Sequence, residues 1–379
     1  MSRLRFGVGA EAKYLTIANA LAAAVERGEL APGDRLPPQR RVAEALGVDL
    51  TTVTRAYAQA RSMGVLEGET GRGTFVRGAP TPAGPLIDLS MNLPPSPADE
   101  NWRDLIGRGL SATLRDNDAA TLMTYRSDLG ARRDKRAAAE WLSPLLGAVD
   151  ESRIFLAPGA QGAIAALLPL LAHAGDCILA EPFTYPGFLA ATRMHGVKLE
   201  DDPYGLLGST QTPLAARAPE HVIHVATLSK AITPGLRTAF VIAPPRLSER
   251  VAEALRASYQ MPTPLLSDMA VRWIESGTAK QLLKGVIAES AARMKIARAI
   301  LPRAEGGPLG FHLWMRLPAH WTPDAYNEAA RAQGVVTVAS RNFATAESDE
   351  AFVRISLGAP PDRDSLARGL RALAALEKA

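Results

Sequence analysis

Apolar residues recur with a helical period near the start of the chain. In residues 14–30, YLTIANALAAAVERGEL, the spacing predicts a helix whose buried stripe is formed by Leu15, Ala18, Leu21, Ala22 and Val25. The Pro-Gly and Pro-Pro breakers in APGDRLPP, residues 31–38, predict a turn after it. By this pattern the chain begins with one amphipathic helix followed by a turn.

Two further helices and a hairpin follow this turn. Gly47 ends a short helix, RRVAEALGV, and Asp49 can cap the next one, LTTVTRAYAQARSMG, which ends at Gly64. The runs VLEGE and TGRGTFV then predict two short strands around a glycine-rich tip. A helix, a helix-turn-helix and a hairpin in this order predict a winged helix-turn-helix.

Beyond residue 85, strand-like apolar runs alternate with helical ones, which predicts an α/β domain with a mainly parallel sheet. From about residue 265 the pattern becomes helical, then mixed, and it ends in a helix, which predicts a smaller α/β subdomain. The segment RGAPTPAGP is typical of a linker. We therefore predict a DNA-binding domain at 1–78, a linker at 79–86, a large domain at 87–265 and a C-terminal small subdomain at 266–379.

Composition narrows the class of protein. The chain has 379 residues, of which 47% are hydrophobic and 22% charged, a soluble globular balance spread over two or three domains. The start lacks an apolar core of signal-peptide length, and the most apolar stretch, residues 163–174, is too short to span a bilayer. Cys177 is the single cysteine, which fits a reducing compartment. We expect a cytoplasmic protein without a membrane partner.

The formal charge is +4, and +3 of it lies in residues 1–78, which favours a nucleic-acid partner there. The first turn of the second helix of a helix-turn-helix faces base edges in the major groove. The candidate DNA-binding residues are therefore Thr51, Thr52 and Thr54 in that turn, Arg40 and Arg41 beside the phosphates, and Arg72 at the wing tip. Arg61 fits a solvated face, and Val53 and Tyr57 fit a core. The alternative is a helical bundle with solvated arginines.

The segments LPPQRRVAEALGVDLTTVTRAYAQA and GVLEGETGRGTFV resemble the GntR family of bacterial repressors over nearly the whole first domain. The resemblance implies binding to a double-stranded DNA operator. Leu50 departs from it, because many relatives carry a basic DNA-contacting residue there. The operator sequence therefore stays open.

A second constellation lies in the large domain. Lys230 follows a probable strand end, where a lysine can form a Schiff base with pyridoxal phosphate (PLP). Asp201 and Tyr204, in DDPYG, could hold the pyridinium nitrogen and the phenolate oxygen of that cofactor. The remaining candidates are Gly159, Ala160 and Gln161 at a helix start for the phosphate, Arg237 and Thr227 beside it, and Tyr185 to stack on the ring. His221 and His224 have no clustered partner ligands, so we expect no metal site.

The order of these residues resembles the fold-type I aminotransferase family, and the fusion to a GntR-type head resembles the MocR subfamily of PLP-dependent regulators. The similarity runs from Tyr14 to the C-terminus, with IDLSMNLPP resembling the start of the catalytic domain. It implies that Tyr125 reaches the phosphate of a neighbouring subunit and that Arg354 holds the α-carboxylate of an amino acid. It also implies a homodimer, which paired DNA half-sites require as well.

One segment that the resembled family contains is missing from this chain. Relatives place several dozen residues, with a central strand and an Asn-Pro motif whose asparagine contacts PLP, before the D-x-x-Y element. Here VKL runs directly into EDDPYG, which indicates an internal deletion between Leu199 and Glu200. Each buried backbone group left unpaired would cost about 1–3 kcal/mol. Either the sheet closes over the gap, with VKLE leading into DDPYG, or PLP binding is lost.

Three functions stay open at this point. The chain is a DNA-binding transcriptional regulator with a PLP-responsive domain, a PLP-dependent aminotransferase with a DNA-binding appendage, or a regulator whose second domain is a non-catalytic remnant. The missing Asn-Pro motif argues against full enzymatic activity, and we favour the first. The sequence leaves open the target genes, the effector and the direction of regulation.

Overall fold

The computed structural model of the protein describes residues 13–27, 29–30, 34, 36–69, 73–76, 85–98, 100–126, 128–173, 175–176, 180–181, 183–195, 200–201, 212–307, 310–345 and 351–377. The chain divides into two compact units, Met1–Gly84 and Pro85–Ala379. The finer boundaries expected from the sequence, a linker at 79–86 and a division between 265 and 266, stay predictions.

The first unit contains the predicted elements in the predicted order. They are α1 (Lys13–Glu26), α2 (Gln39–Leu46), α3 (Leu50–Ser62), β1 (Leu66–Glu69) and β2 (Gly73–Val76). Gly47 ends α2 in the left-handed conformation (φ 62°), and the side chain of Asp49 caps α3 by accepting from Thr51 N at 2.8 Å. The strands pair antiparallel with Leu66 opposite Val76, so they form the wing.

The core of the first unit lies between α1 and α3. The predicted stripe on α1 is partly wrong: Ala18 and Leu21 are buried, but Leu15, Ala22 and Val25 are only half-buried, and Ile17 and Ala24 are buried instead. The helix is thus rotated toward Ile17, because that face packs on α3. Val53 and Tyr57 are core residues, as expected. The Tyr57 hydroxyl donates to Pro37 O at 3.1 Å, and burial raises the pKa of this hydroxyl to about 12.

The second unit is an α/β domain. Its helices are α4 (Trp102–Asp116), α5 (Ala119–Leu122), α6 (Arg132–Leu146), α7 (Ala160–Leu171), α8 (Pro186–His195), α9 (Leu214–Arg217), α10 (Leu228–Ala231), α11 (Ser248–Tyr259), α12 (Pro264–Glu275), α13 (Thr278–Ile300), α14 (Pro323–Ala332) and α15 (Arg363–Leu376). Its strands are β3 (Ile87–Asp88), β4 (Ile154–Ala157), β5 (Glu200–Asp201), β6 (His224–Thr227), β7 (Ala239–Ile242), β8 (His312–Arg316), β9 (Val335–Val336), β10 (Val338–Ala339) and β11 (Phe352–Ser356).

The large sheet has the strand order β4-β7-β6-β5 among the described residues. Strand β7 pairs antiparallel with β4 and with β6, whereas β5 pairs parallel with β6. Strands β4, β5 and β6 therefore run in one direction, and their carboxyl ends lie at the same edge. All residues of β4, β6 and β7 are buried, as expected for a sheet covered on both faces.

The break in the family pattern falls beside this sheet. Asp201 pairs with Val225, so the D-x-x-Y strand lies directly next to the strand that precedes Lys230. The pairing shows only that β5 lies beside β6, so closure of the sheet over the missing segment stays a prediction. Residues 196–199, which precede β5, lie outside the described residues.

A smaller antiparallel sheet has the order β10-β11-β8. Arg354 lies opposite Trp314, and Ser356 lies opposite His312. The alternate residues Leu313, Met315, Val353 and Ile355 are buried in a core with α13, α14 and α15. Because side chains alternate between the two faces of a strand, the other face of this sheet carries His312, Trp314, Arg354 and Ser356.

We expect Tyr57→Phe to destabilise the first unit by about 0.5–1.5 kcal/mol, because Pro37 O would lose its buried donor. Hydrogen exchange of the α3 amides in the whole chain at neutral pH measures this change. Tyr14→Phe is the matched control, since the partly buried Tyr14 ring packs under Arg55 at 4.6 Å and keeps that contact without its hydroxyl. Equal exchange in Tyr57→Phe and the wild type would contradict the assignment.

Candidate functional site

A cavity of about 1530 Å³ lies in the second unit, between the carboxyl ends of the large sheet and one face of the small sheet. Sequence-predicted residues that line it are Ala160, Gln161, Tyr185, Thr227, Lys230, Arg237 and Arg354. Residues drawn from distant parts of the chain therefore meet at one place. Such a crevice at strand carboxyl ends is where α/β proteins bind ligands.

Lys230 lies one turn beyond the end of β6. The hydroxyl of Thr227 caps the short helix α10 by accepting from Ser229 N at 3.1 Å, which fixes the start of the turn that carries the lysine. Lys230 Nζ donates to Asn92 O at 2.5 Å and is half-buried. The amine is thus held inside the cavity by a backbone carbonyl from the segment before α4.

The start of α7 and the side chain of Arg237 form a cradle for an anion. Gly159 has φ 88°, and Ala163 N donates to Gly159 O at 3.2 Å, so the amides of Ala160 and Gln161 belong to the unpaired first turn. Arg237 Nη2 donates to Pro158 O at 3.0 Å. A Cβ atom at Gly159 would lie 2.7 Å from that nitrogen, so a larger residue there would displace the guanidinium from this position. Helix amides beside an arginine bind phosphate well.

Tyr185 stands at the start of α8 on the cavity wall, with 48% of its surface exposed. The backbone before it is fixed to the small subdomain, because Thr184 N donates to Phe343 O at 2.8 Å. Gln161 Nε2 donates to Gly187 O at 3.2 Å. Gln161 Oε1 is buried and has no hydrogen-bond partner among the described residues. The tyrosine is therefore positioned by both walls of the cavity.

Arg354 faces the cavity from β11. Its Nη2 donates to Ser90 O at 2.6 Å, and its guanidinium carbon lies 4.4 Å from the centre of the Phe343 ring. Phe343 therefore contacts Arg354 through its ring and accepts from Thr184 N through its carbonyl oxygen. An arginine presented in this way can bind a carboxylate.

The sequence reasoning missed three contributors to this cavity. The carbonyls of Ser90 and Asn92 accept from Arg354 and Lys230, and His312 lines the cavity from β8. The alternation of HLWMR against FVRIS placed His312 on the same face as Arg354, and this signal could have found it. No local pattern marks the two carbonyls.

Some predicted residues lie elsewhere. Tyr125 is 84% exposed and does not line the cavity. Asp201 ends β5 beside β6, but its side chain, like all of Tyr204, lies outside the described residues, as does Arg72 at the wing tip. Among the histidines without an assigned role, His224 is buried in β6 and His221 is exposed.

The DNA-contact candidates of the first unit lie mostly on its surface. Arg40, Arg41, Thr51 and Thr54 are exposed, and Thr52 is half-buried. The Thr51 hydroxyl donates to Asp49 Oδ1 at 2.6 Å, and the Thr54 hydroxyl donates to Gln39 Oε1 at 2.8 Å. Both hydroxyl protons are therefore donated within the protein. Toward a base edge, each of these threonines then presents an acceptor oxygen or a methyl group.

Comparison with known proteins agrees with this geometry. Residues 13–76 match the profile of the bacterial regulatory proteins, gntR family. An uncharacterized HTH-type transcriptional regulator of Bacillus subtilis, YdeF, is 26% identical over 95% of this chain and 93% of its own. The HTH-type pyridoxine biosynthesis transcriptional regulator PdxR of Corynebacterium glutamicum is 25% identical over 68% of this chain and 72% of its own.

Solved structures show the fold of the second unit. The kynurenine aminotransferase of Pyrococcus horikoshii, in complex with PMP, superposes with a TM-score of 0.70 at 17% identity, covering 78% of this chain and 91% of that one. The protein is therefore a GntR-type winged helix-turn-helix domain fused to a domain with the fold-type I aminotransferase fold. This is the architecture of the MocR-type transcriptional regulators, so the recognition from sequence is confirmed.

The comparison with YdeF also bears on chain length. The alignment runs over 434 positions, and because 95% of 379 residues is about 360, roughly 74 positions have no counterpart in this chain. Part of this relative therefore has no counterpart within the aligned part of this chain, and the deletion at Leu199 and Glu200 stays a prediction. Within the described part of the chain, none of the helices combines the length and apolarity that crossing a bilayer requires.

We expect Gly159→Ala to destabilise the second unit by about 1–3 kcal/mol, because alanine is strained at φ 88° and its Cβ would also displace the Arg237 guanidinium. Unfolding followed by tryptophan fluorescence reports on this unit alone, since all five tryptophans lie in it. Gly107→Ala is the control: its Cβ would meet nothing within 4 Å, and helix α4 should gain up to about 1 kcal/mol. Equal stability of the two variants would refute the steric argument.

Proposed function

We propose that this regulator binds an operator in double-stranded DNA through its first unit, and PLP in the cavity of its second unit as a regulatory ligand. The observation that carries the proposal is that Lys230, Arg354 and the cradle formed by the start of α7 and Arg237 meet in one cavity. The names of PdxR and of the PMP-bound aminotransferase agree with it.

The residues present fit the cofactor. The cradle offers helix amides and a guanidinium to a phosphate, and the buried, unpartnered Gln161 Oε1 lies at its rim. Lys230 Nζ reaches into the same cavity, and Tyr185 stands on its wall with its ring about half exposed. Bound PLP would supply an electrophilic carbonyl for a primary amine and an electron sink.

Each side chain then has a distinct task in this proposal. Lys230 attaches the cofactor, Arg237 with Ala160 and Gln161 holds its phosphate, and Thr227 adds a hydroxyl at the strand end. Tyr185 stacks on the ring, and Asp201 and Tyr204 complete the site as the family resemblance implies. Arg354 takes the carboxylate of an amino acid that reaches the same cavity.

The proposal includes a cytoplasmic homodimer. Winged-helix repressors read paired half-sites, so two heads are needed for one operator. Tyr125 would contribute from one subunit to the phosphate of the other, and its 84% exposure leaves it accessible to a second copy of the chain. The short junction at Leu199 and Glu200 is compatible with a PLP site, because β5 still pairs beside β6.

Titration of the whole protein with PLP should give a saturable visible absorption band that Lys230→Ala abolishes. Lys280→Ala, which removes an exposed lysine of α13, should keep the band, so that it excludes random reaction with surface amines. Arg237→Ala should weaken PLP binding about tenfold through loss of a charge-assisted contact. Arg217→Ala, at an exposed site on α9, is its control. No band beyond that of free PLP in the wild type would refute PLP binding.

Binding to a fluorescent duplex selected in vitro with the whole protein should weaken steeply with salt through counterion release. Arg40→Gln and Arg41→Gln should each lower the slope of log K against log salt by about 1, as expected when one phosphate contact is lost. Arg61→Gln is the control, because Arg61 is exposed and donates to Thr74 on the wing at 3.2 Å. Affinity that does not respond to salt would contradict DNA binding through this surface.

A further inference from the structure

His312 lines the cavity from β8 of the small sheet. It lies on β8 opposite Ser356, and Arg354 is two residues from Ser356 on the same face of β11. Diagonal neighbours on one sheet face are about 7–8 Å apart at the Cα atoms, within reach of an arginine. His312, Arg354 and Lys230 all line the cavity. The imidazole therefore borders the same space as the two cations that the proposed function assigns to ligands.

The surroundings of His312 keep the imidazole neutral. Burial is the first cause and the positive charges of Arg354 and Lys230 are the second, and together they lower the pKa of His312 to about 4. These two cations, on β11 and α10, are the charged groups of the described chain that act on it. Ser356, opposite it on β11, and the nearby Ser90 carry no charge. A neutral imidazole offers one N–H donor and one acceptor nitrogen.

We propose that His312 is a second carboxylate-binding residue of this cavity: it donates an imidazole N–H to the ligand carboxylate that Arg354 binds, and takes up a proton as that carboxylate arrives. The inference rests on the proposed function for the role of Arg354 and adds a residue that determines ligand specificity. A carboxylate needs several donors, and Arg354 already spends one nitrogen on Ser90 O. The imidazole supplies a further donor on the same sheet face.

The proton uptake follows from the negative charge that the bound carboxylate places beside the imidazole. A carboxylate within about 4–6 Å favours the charged form of the imidazole and raises its pKa by about 1–3. The bound state then holds more protons than the free state between the two pKa values. Affinity for the ionised carboxylate therefore rises as the pH falls through the pKa of the bound state. The gain ends near pH 4, where the free imidazole and the ligand carboxylate both bind protons.

The test uses 3-phenylpropanoate, a carboxylate without an amine, so that reaction with PLP does not contribute. Its ring suits the aromatic wall, where Phe183 stacks on Trp314 at 5.3 Å. Calorimetry of the whole protein at about pH 6, in two buffers of different ionisation enthalpy, measures affinity and the number of protons taken up. The wild type should take up a fraction of a proton, and His312→Phe should take up none and bind about tenfold more weakly.

His312→Gln separates the two parts of the proposal, because an amide keeps an N–H donor but does not titrate. It should bind nearly as tightly as the wild type without proton uptake. Arg316→Gln is the control, because it removes a cation from the same strand face about 13 Å away and should change neither quantity. His312→Gln also serves if the phenylalanine variant does not fold.

Proton uptake that persists in His312→Gln, wild-type affinity in His312→Phe, or absence of saturable binding in the wild type would each overturn the inference. The PLP titration of the same wild-type preparation distinguishes this failure from that of the proposed function. A normal Lys230-dependent band with unchanged His312 variants refutes the role of His312 alone. A missing band refutes PLP binding, while the carboxylate result still decides the role of His312.

Discussion

Two cations on opposite walls of the cavity, Lys230 and Arg354, are held by carbonyls of one short segment, Ser90–Asn92. A partly buried charge is costly unless polar groups surround it, so these carbonyls make both positions tolerable. The same segment follows β3, which pairs parallel with β9 of the small subdomain. The geometry of the cavity thus depends on backbone carbonyls of this one segment.

The short junction before β5 lies beside the strand of the large sheet that leads to Lys230. Lys230 follows β6, and β6 is paired on one side by β7 and on the other by β5. This pairing provides hydrogen-bond partners on both sides of β6. The anion cradle comes from the turn after β4, on the far side of β7, and does not involve the shortened region. Along the chain, Lys230, the cradle and Arg354 therefore lie away from the junction, whereas Asp201 and Tyr204 directly follow it.

The first unit has its own core around Val53 and Tyr57, and each of its predicted helices and strands is present. Its candidate DNA-contact residues include short polar side chains that also stabilise the fold. Thr51 and Thr54 are exposed, yet their hydroxyls complete the cap of α3 and join α3 to α2. The hydroxyls that stabilise α3 therefore belong to two of the candidate DNA-contact residues, whereas the other candidates Arg40 and Arg41 are exposed.

The sequence by itself determined the elements of the first unit and their order, because local periods and breakers such as Gly47 act within a few residues. It also placed Lys230 at a strand end and Gly159 at a helix start, since both signals are local. Tertiary structure decided the rotation of α1 toward Ile17, the carbonyl partners of Lys230 and Arg354, and the place of His312. The physical reason is distance along the chain: Lys230 meets Asn92 across 138 positions and Arg354 meets Ser90 across 264, and no local pattern encodes such contacts.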